Sequence, residues 1–221
     1  MDQPRKNRVR KRLAEQSRLA ASPTASQDAD ALPLNAAEIL IAEYQYAAHC
    51  AFQAHEDRAR VSSYYLVSAG TAVAAILGVQ QEEVLPSITT GFAAIFAVLF
   101  FVGILTLLQM IRLREAWYES AAAMNLIKEY YVKAYCDVDL VKAFAWTNKT
   151  LPMRAKAWSV AFLLALSVML IDSCAVGGSI IFYGYGTTGD DLLFRNWAIT
   201  VACALLVAQI ILYRVLLHEK T

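Results

Sequence analysis

The chain has 221 residues, 58% of them hydrophobic and 18% charged, with a net charge of +1 and a mean hydropathy of +0.41. That apolar excess is beyond what a soluble domain of ordinary composition reaches, and the near-neutral total gives no sign of a nucleic-acid partner. Four cysteines, Cys50, Cys136, Cys174 and Cys203, lack CxxC spacing, which leaves neither a disulfide framework nor a zinc site expected.

Residues 1–34 form a polar, basic tail in which Arg5, Lys6, Arg8, Arg10, Lys11 and Arg12 crowd into eight positions. The run reads as a positive-inside signal on a disordered segment, or as a contact for anionic lipid. A nucleic-acid contact and a mitochondrial presequence are further readings, and Asp2 and Glu15 oppose the latter. No cleavable secretory signal is expected. After Pro33, Asn35 followed by Glu38 has the spacing of a capping box, so a helix should start there.

Over 35–60 the apolar residues Leu40, Tyr44, Ala47, Ala51 and Ala54 alternate at spacings of four and three, opposite a wet face of Gln45, His49, Gln53, Glu56 and Arg60. This is one amphipathic helix. Four long apolar stretches follow in the chain: Val61 to Val79, Gly91 to Ile111, Ala157 to Tyr183 and Trp197 to Leu217. Each as a helix is long enough for a hydrocarbon core of about 30 Å, which takes roughly 20 residues. Between the second and third stretches, Leu113, Trp117, Ser120, Met124, Ile127, Tyr131 and Ala134 keep the same alternation. The second span should therefore continue as a helix for about 35 Å at 1.5 Å per residue. The two seams are similar in length and run in opposite directions, so they can pair as an antiparallel stalk, or each can pack on a neighbouring subunit. The connector from Cys136 to Lys156 breaks the pattern and has room for a short helix around Val141 to Trp146.

Charge sets the orientation, because Lys and Arg are retained on the cytoplasmic side. Nine basic residues precede the first span, eight lie between the second and third, and Arg214 and Lys220 close the chain, leaving only Arg195 for the other side. Both termini are then cytoplasmic. Aromatic residues mark the two boundaries, with Tyr64, Tyr65, Trp158 and Tyr213 inside and Tyr183, Tyr185, Phe194 and Trp197 outside. The expected architecture is an all-α integral membrane protein with hairpins over 61–111 and 157–217. Cytoplasmic segments over 35–60 and 112–156 extend the first and second spans into a stalk, and 218–221 form a short tail.

Asp172 is the sharpest chemical signal, since a carboxylate in the middle of a span must face protein or water. Gln209 falls within about a helical turn of the same depth, and Ser173 is adjacent. The group reads either as part of an ion path or protonation switch, or as interhelical polar glue. The pairs Gly70 with Ala74, Ser173 with Gly177, and Cys174 with Gly178 are small-xxx-small faces that let helices approach closely and favour packing or homo-oligomers. Gly184, Tyr185 and Gly186 share their order with potassium-channel filters. Without a preceding pore helix, they are expected to be a turn in the outer loop. His49 and His55 lie on different helix faces and match no metal motif, and no catalytic residue or cofactor site is expected.

The order of parts over Asn35 to Cys136, an amphipathic cytoplasmic helix, two closely spaced spans and a long cytoplasmic helix, resembles the SLATT group of bacterial membrane effectors. That resemblance implies a homo-oligomeric inner-membrane protein of an antiviral or conflict system. Its spans would open a pore when a cytoplasmic sensor signals. Spans three and four depart from the minimal two-span form. Beside this stands a non-conducting anchor or scaffold whose stalk binds a partner protein.

Overall fold

The computed structural model describes residues 36–78, 86–135, 147, 150–151, 158–187 and 191–218. Their regular elements are four α-helices: α1 (Ala36–Leu77), α2 (Pro86–Tyr135), α3 (Val160–Thr187) and α4 (Asp191–His218). The basic run Arg5 to Arg12, Asn35, the segment Val141 to Trp146 and Cys136 lie outside the described residues. The helices α2, α3 and α4 hold stretches long and apolar enough to cross a membrane, within Ile88–Ala134, Val160–Thr187 and Phe194–His218. The first helix is not among them, because Ser62, Ser63, Tyr64, Tyr65, Ser68 and Thr71 dilute its apolar segment.

Local chemistry explains where the helices stop and start. Gly78 closes α1 by donating its N–H to the Ala74 carbonyl at 3.0 Å, in the position where glycine ends helices. Proline opens α2, where its missing N–H would have had no helical partner. Ser159 caps α3 by accepting the Phe162 N–H at 3.3 Å. Trp158, just before the cap, has φ of 63°, a left-handed turn that leaves its indole 85% exposed. Thr150 and Thr147 form a small turn in the connector, with a backbone bond of 3.0 Å.

The first turns of α1, through Ala42, form a unit of their own, and residues 43–221 form a second. In the second unit α3 is the central helix, packing along both α2 and α4, which touch each other only lightly. Its buried residues Ala165, Val168 and Met169 share a core with Tyr65, Ala69, Leu99, Leu107, Met110 and Leu217. Near one end Phe182 sits between Phe92 and Phe96, with ring centroids 5.5 and 5.7 Å away. Ser179 donates there to the Ala93 carbonyl at 2.9 Å. Near the other end the rings of Phe162 and Tyr213 meet at 5.8 Å.

From Tyr44 onward α1 runs antiparallel to α2. Lys128 lies over the Tyr44 ring at 6.0 Å; about four turns along α1, and the same distance back along α2, Arg58 is near enough to Arg114 for like-charge repulsion. The buried line of α1 is Ala47, Ala51, Ala54, Arg58, Ser62, Tyr65 and Ala69, so the expected seam continues without a break into the apolar segment. On α2 the expected seam residues Leu113, Trp117, Met124 and Tyr131 are half-buried and Ile127 is buried, whereas a more buried line lies one residue further on, through Leu107, Met110, Arg114, Ala121 and Asn125.

One expectation about the second hairpin changes. Gly184 and Gly186 lie inside α3, which continues to Thr187, and α4 starts at Asp191. The glycines are therefore the last turns of a helix, neither a turn nor a filter. Gly184 is packed under the Phe194 ring, whose Cδ1 would lie 2.7 Å from a Cβ added there.

The small-residue faces divide. At Gly177 an added Cβ would meet the Ala202 Cβ at 3.6 Å, and at Gly178 it would meet the Phe96 ring at 3.4 Å, whereas Gly70 has nothing within 4 Å and Ala74 is exposed. Gly177 thus sets the approach of α3 to α4, with room for one methyl group. Gly177→Ala should raise the unfolding temperature in detergent by removing backbone entropy, a gain of about 0.5–1 kcal/mol. Gly177→Leu should lower it through overpacking of about 1–3 kcal/mol. Equal behaviour of the two variants would show that the helices are not in contact here.

Candidate functional site

A carboxylate in an apolar core needs hydrogen-bond donors, since leaving it without them costs several kcal/mol. Asp172 is near the middle of α3 and 1% exposed. The Tyr65 hydroxyl on α1 donates to its Oδ1 at 3.3 Å, and the Gln209 side-chain amide on α4 donates to its Oδ2. Tyr65 and Gln209 are themselves buried. The Oε1 atom of Gln209 has no hydrogen-bond partner among the described residues.

The remaining wall is α2, and there the backbone supplies space instead of a donor. A Cβ on Gly103 would stand 2.6 Å from the Asp172 Cγ and 2.7 Å from the Tyr65 hydroxyl oxygen, closer than real Cβ atoms come. The close approach needs glycine at this position, and all four helices therefore meet at one buried carboxylate.

The structure brings Asp172 and Gln209 together and separates Ser173 from them. The Ser173 hydroxyl is buried but donates to the Met169 carbonyl of its own helix at 2.8 Å. Two participants lie outside the group that the sequence marks. Tyr65 has the place of a membrane-boundary residue in the sequence, yet it is 1% exposed and turned into the core, while its neighbour Tyr64 is 67% exposed. The signal for Tyr65 was its place on the α1 seam, two positions of four and three residues beyond Arg58. Gly103, a glycine in the middle of the apolar stretch of α2, carries the second signal. Tyr213 is likewise buried.

Chemically, the cluster can hold one negative charge or one proton between two neutral donors. Among the described residues, the side chains that donate to the Asp172 carboxylate are Tyr65 and Gln209, and both are neutral. Such a group keeps helices in register and responds when they shift. No protein-family model, curated protein or solved structure matches this chain.

Gly103→Ala should cost about 1–3 kcal/mol of stability, because its methyl group forces Asp172 or Tyr65 off its position. Tyr65→Phe and Asp172→Ala, combined in a double-mutant cycle of unfolding in micelles, should show a coupling energy of about 0.5–2 kcal/mol. Strict additivity would mean that the hydrogen bond contributes nothing.

Proposed function

We propose that this chain is a four-span membrane effector that assembles as a homo-oligomer and opens an ion-permeable pathway when its stalk receives a cytoplasmic signal. The carrying observation is the continuity of α1 and α2. One unbroken helix links Tyr44 to Tyr65, another links Lys128 to Gly103, and both reach the Asp172 cluster. A rotation or slide of the stalk pair by a fraction of a turn would move the Tyr65 hydroxyl off Oδ1 and alter the fit at Gly103. The cluster is then a latch between stalk and bundle, with Asp172 facing inward and not lining the pathway in the latched state.

The segment of α1 from Val61 to Leu77 supplies the fourth span in this reading. Its exposed hydroxyls favour that assignment. Ser63 donates to Ala59, Ser68 to Tyr64 and Thr71 to Val67, all to carbonyls four residues back at 2.8–2.9 Å, so none asks the lipid for a partner. Tyr65 also meets a residue in the middle of α3, which supports a position at the depth of a spanning helix.

The distribution of Lys and Arg orients both termini, and the stalk, to the cytoplasm. The likeness of residues 35–136 to SLATT effectors suggests a bacterial inner membrane, an antiviral setting and a separate sensor protein as partner. The second reading, a non-conducting anchor or scaffold, draws on two features: Asp172 is buried, and Tyr46, Phe52, Leu126 and Tyr130 are exposed on the stalk.

Membrane potential in induced cells separates the two readings, with insertion verified for each variant. Under the effector reading wild type depolarises the membrane, and Asp172→Asn or Tyr65→Phe does so at about tenfold lower expression because the latch is weakened. An anchor leaves the potential unchanged in all three, while stalk substitutions such as Phe52→Glu abolish partner capture.

A further inference from the structure

Buried arginines are rare without partners, because a guanidinium removed from water must find acceptors for its N–H groups. Arg58 is 3% exposed. Its Nη2 donates to the Nδ1 atom of His55 at 2.9 Å. Its Nε and Nη1 are buried and have no hydrogen-bond partner among the described residues. Two of the three guanidinium nitrogens are thus dry donors without acceptors.

The surroundings add positive charge. Arg114 on α2 is 7% exposed, lies over the Trp117 ring at 5.0 Å, and is near enough to repel Arg58. Burial holds the Arg58 guanidinium below its ordinary value, and Arg114 lowers it further. Tyr213 on α4 interacts with both arginines and is itself buried. On the same two helices Glu115 accepts from Arg112 at 3.3 Å, and Asp57 accepts from Arg60 at 3.4 Å. Three helices therefore close around two like charges and two unanswered donors.

The position narrows the ligand. Arg114 follows the apolar stretch of α2 by three residues, at the level where a spanning helix leaves the hydrocarbon and meets the phosphate layer of a bilayer. A tetrahedral oxyanion has enough acceptor oxygens to take separate donors from several directions, and arginine is the side chain suited to it. We propose that Arg58, with Arg114 and Tyr213, forms an intrahelical-bundle site for a phosphate group, supplied either by the headgroup of an anionic phospholipid or by a soluble phosphate. Occupancy would neutralise the buried charge and tie α1, α2 and α4 together at the basic end of the bundle.

The test uses the full chain, purified in detergent and stripped of lipid. Its unfolding temperature is followed while phosphatidylglycerol is added to the micelles, or inorganic phosphate to the buffer at constant ionic strength. A saturable rise of several degrees is expected in wild type. It should disappear in Arg58→Met, shrink at least about tenfold in apparent affinity in Arg58→Lys, and persist in Arg60→Gln, whose side chain is largely exposed. A rise with phosphatidylglycerol that inorganic phosphate does not reproduce assigns the headgroup; a rise with inorganic phosphate assigns a soluble ligand. No rise in wild type with either probe overturns the proposal, as does an Arg58→Met response equal to that of wild type. If Arg58→Met does not fold, the wild-type titrations and Arg58→Lys decide.

Discussion

The fold depends on satisfying one carboxylate in an apolar core. Asp172 accepts from α1 and α4 and presses against the bare backbone of α2, so the rotation of each neighbour about its axis is constrained by the same group. Each hydrogen bond contributes only about 0.6–2 kcal/mol in such surroundings. The larger effect is negative: any arrangement that withdraws Tyr65 or Gln209 leaves a buried charge or a buried polar group short of a partner, at several kcal/mol. Apolar packing alone would accept many rotations of these helices at similar free energy. The carboxylate distinguishes among them, and a buried polar group used for register is the best-attested reason to keep one.

A second constraint runs along the α1–α2 pair. Alanines at 47, 51 and 54 remove bulk from the α1 seam, which leaves no large knobs there to fix its height relative to α2. Height is then set by polar and aromatic features placed at intervals along the pair: Lys128 over Tyr44 and bonded to Asn125, Arg58 near Arg114, and Tyr65 at Asp172. Asn125 carries a buried Nδ2 without a partner among the described residues, the kind of seam asparagine that specifies register in coiled helices while lowering stability. A slide of one helical turn would break all of these features together.

The sequence shows the apolar stretches and the α1 seam directly, because both follow from hydrophobic periodicity, and the shared depth of Asp172 and Gln209 follows from counting residues along opposed helices. The α2 seam was displaced by one residue for a physical reason: pattern reading assigns arginine and asparagine to water, and here Arg114 and Asn125 are the buried positions. Tyr65 misled in the same way, since a tyrosine near the end of an apolar stretch usually has its ring at the membrane boundary, and its role depends on a carboxylate 107 positions away in the chain. Gly103 could not be interpreted from the sequence, because its meaning is the absence of a Cβ beside two side chains from other helices. The end of α3 was also concealed, for Gly184 and Gly186 suggest a turn, whereas the Phe194 ring fills the groove that Gly184 leaves.

Two of the buried charges of the bundle, the Arg58 guanidinium and the Asp172 carboxylate, are linked through one helix. Arg58 and Tyr65 share the α1 seam, seven residues and about two turns apart, so the height and rotation of α1 enter both the arginine cluster and the latch. A helix of 42 residues is stiff over two turns, and a displacement imposed at one point is felt at the other with little loss. In the reading proposed above, an anion held by Arg58 and Arg114 would favour the rotation that keeps the Tyr65 hydroxyl on Oδ1. Its departure would restore repulsion between the arginines and push the two helices apart immediately below the latch. The coupling needs no long chain of side-chain contacts, because a continuous backbone carries it, and its strength is bounded by the difference in anion affinity between the latched and released arrangements.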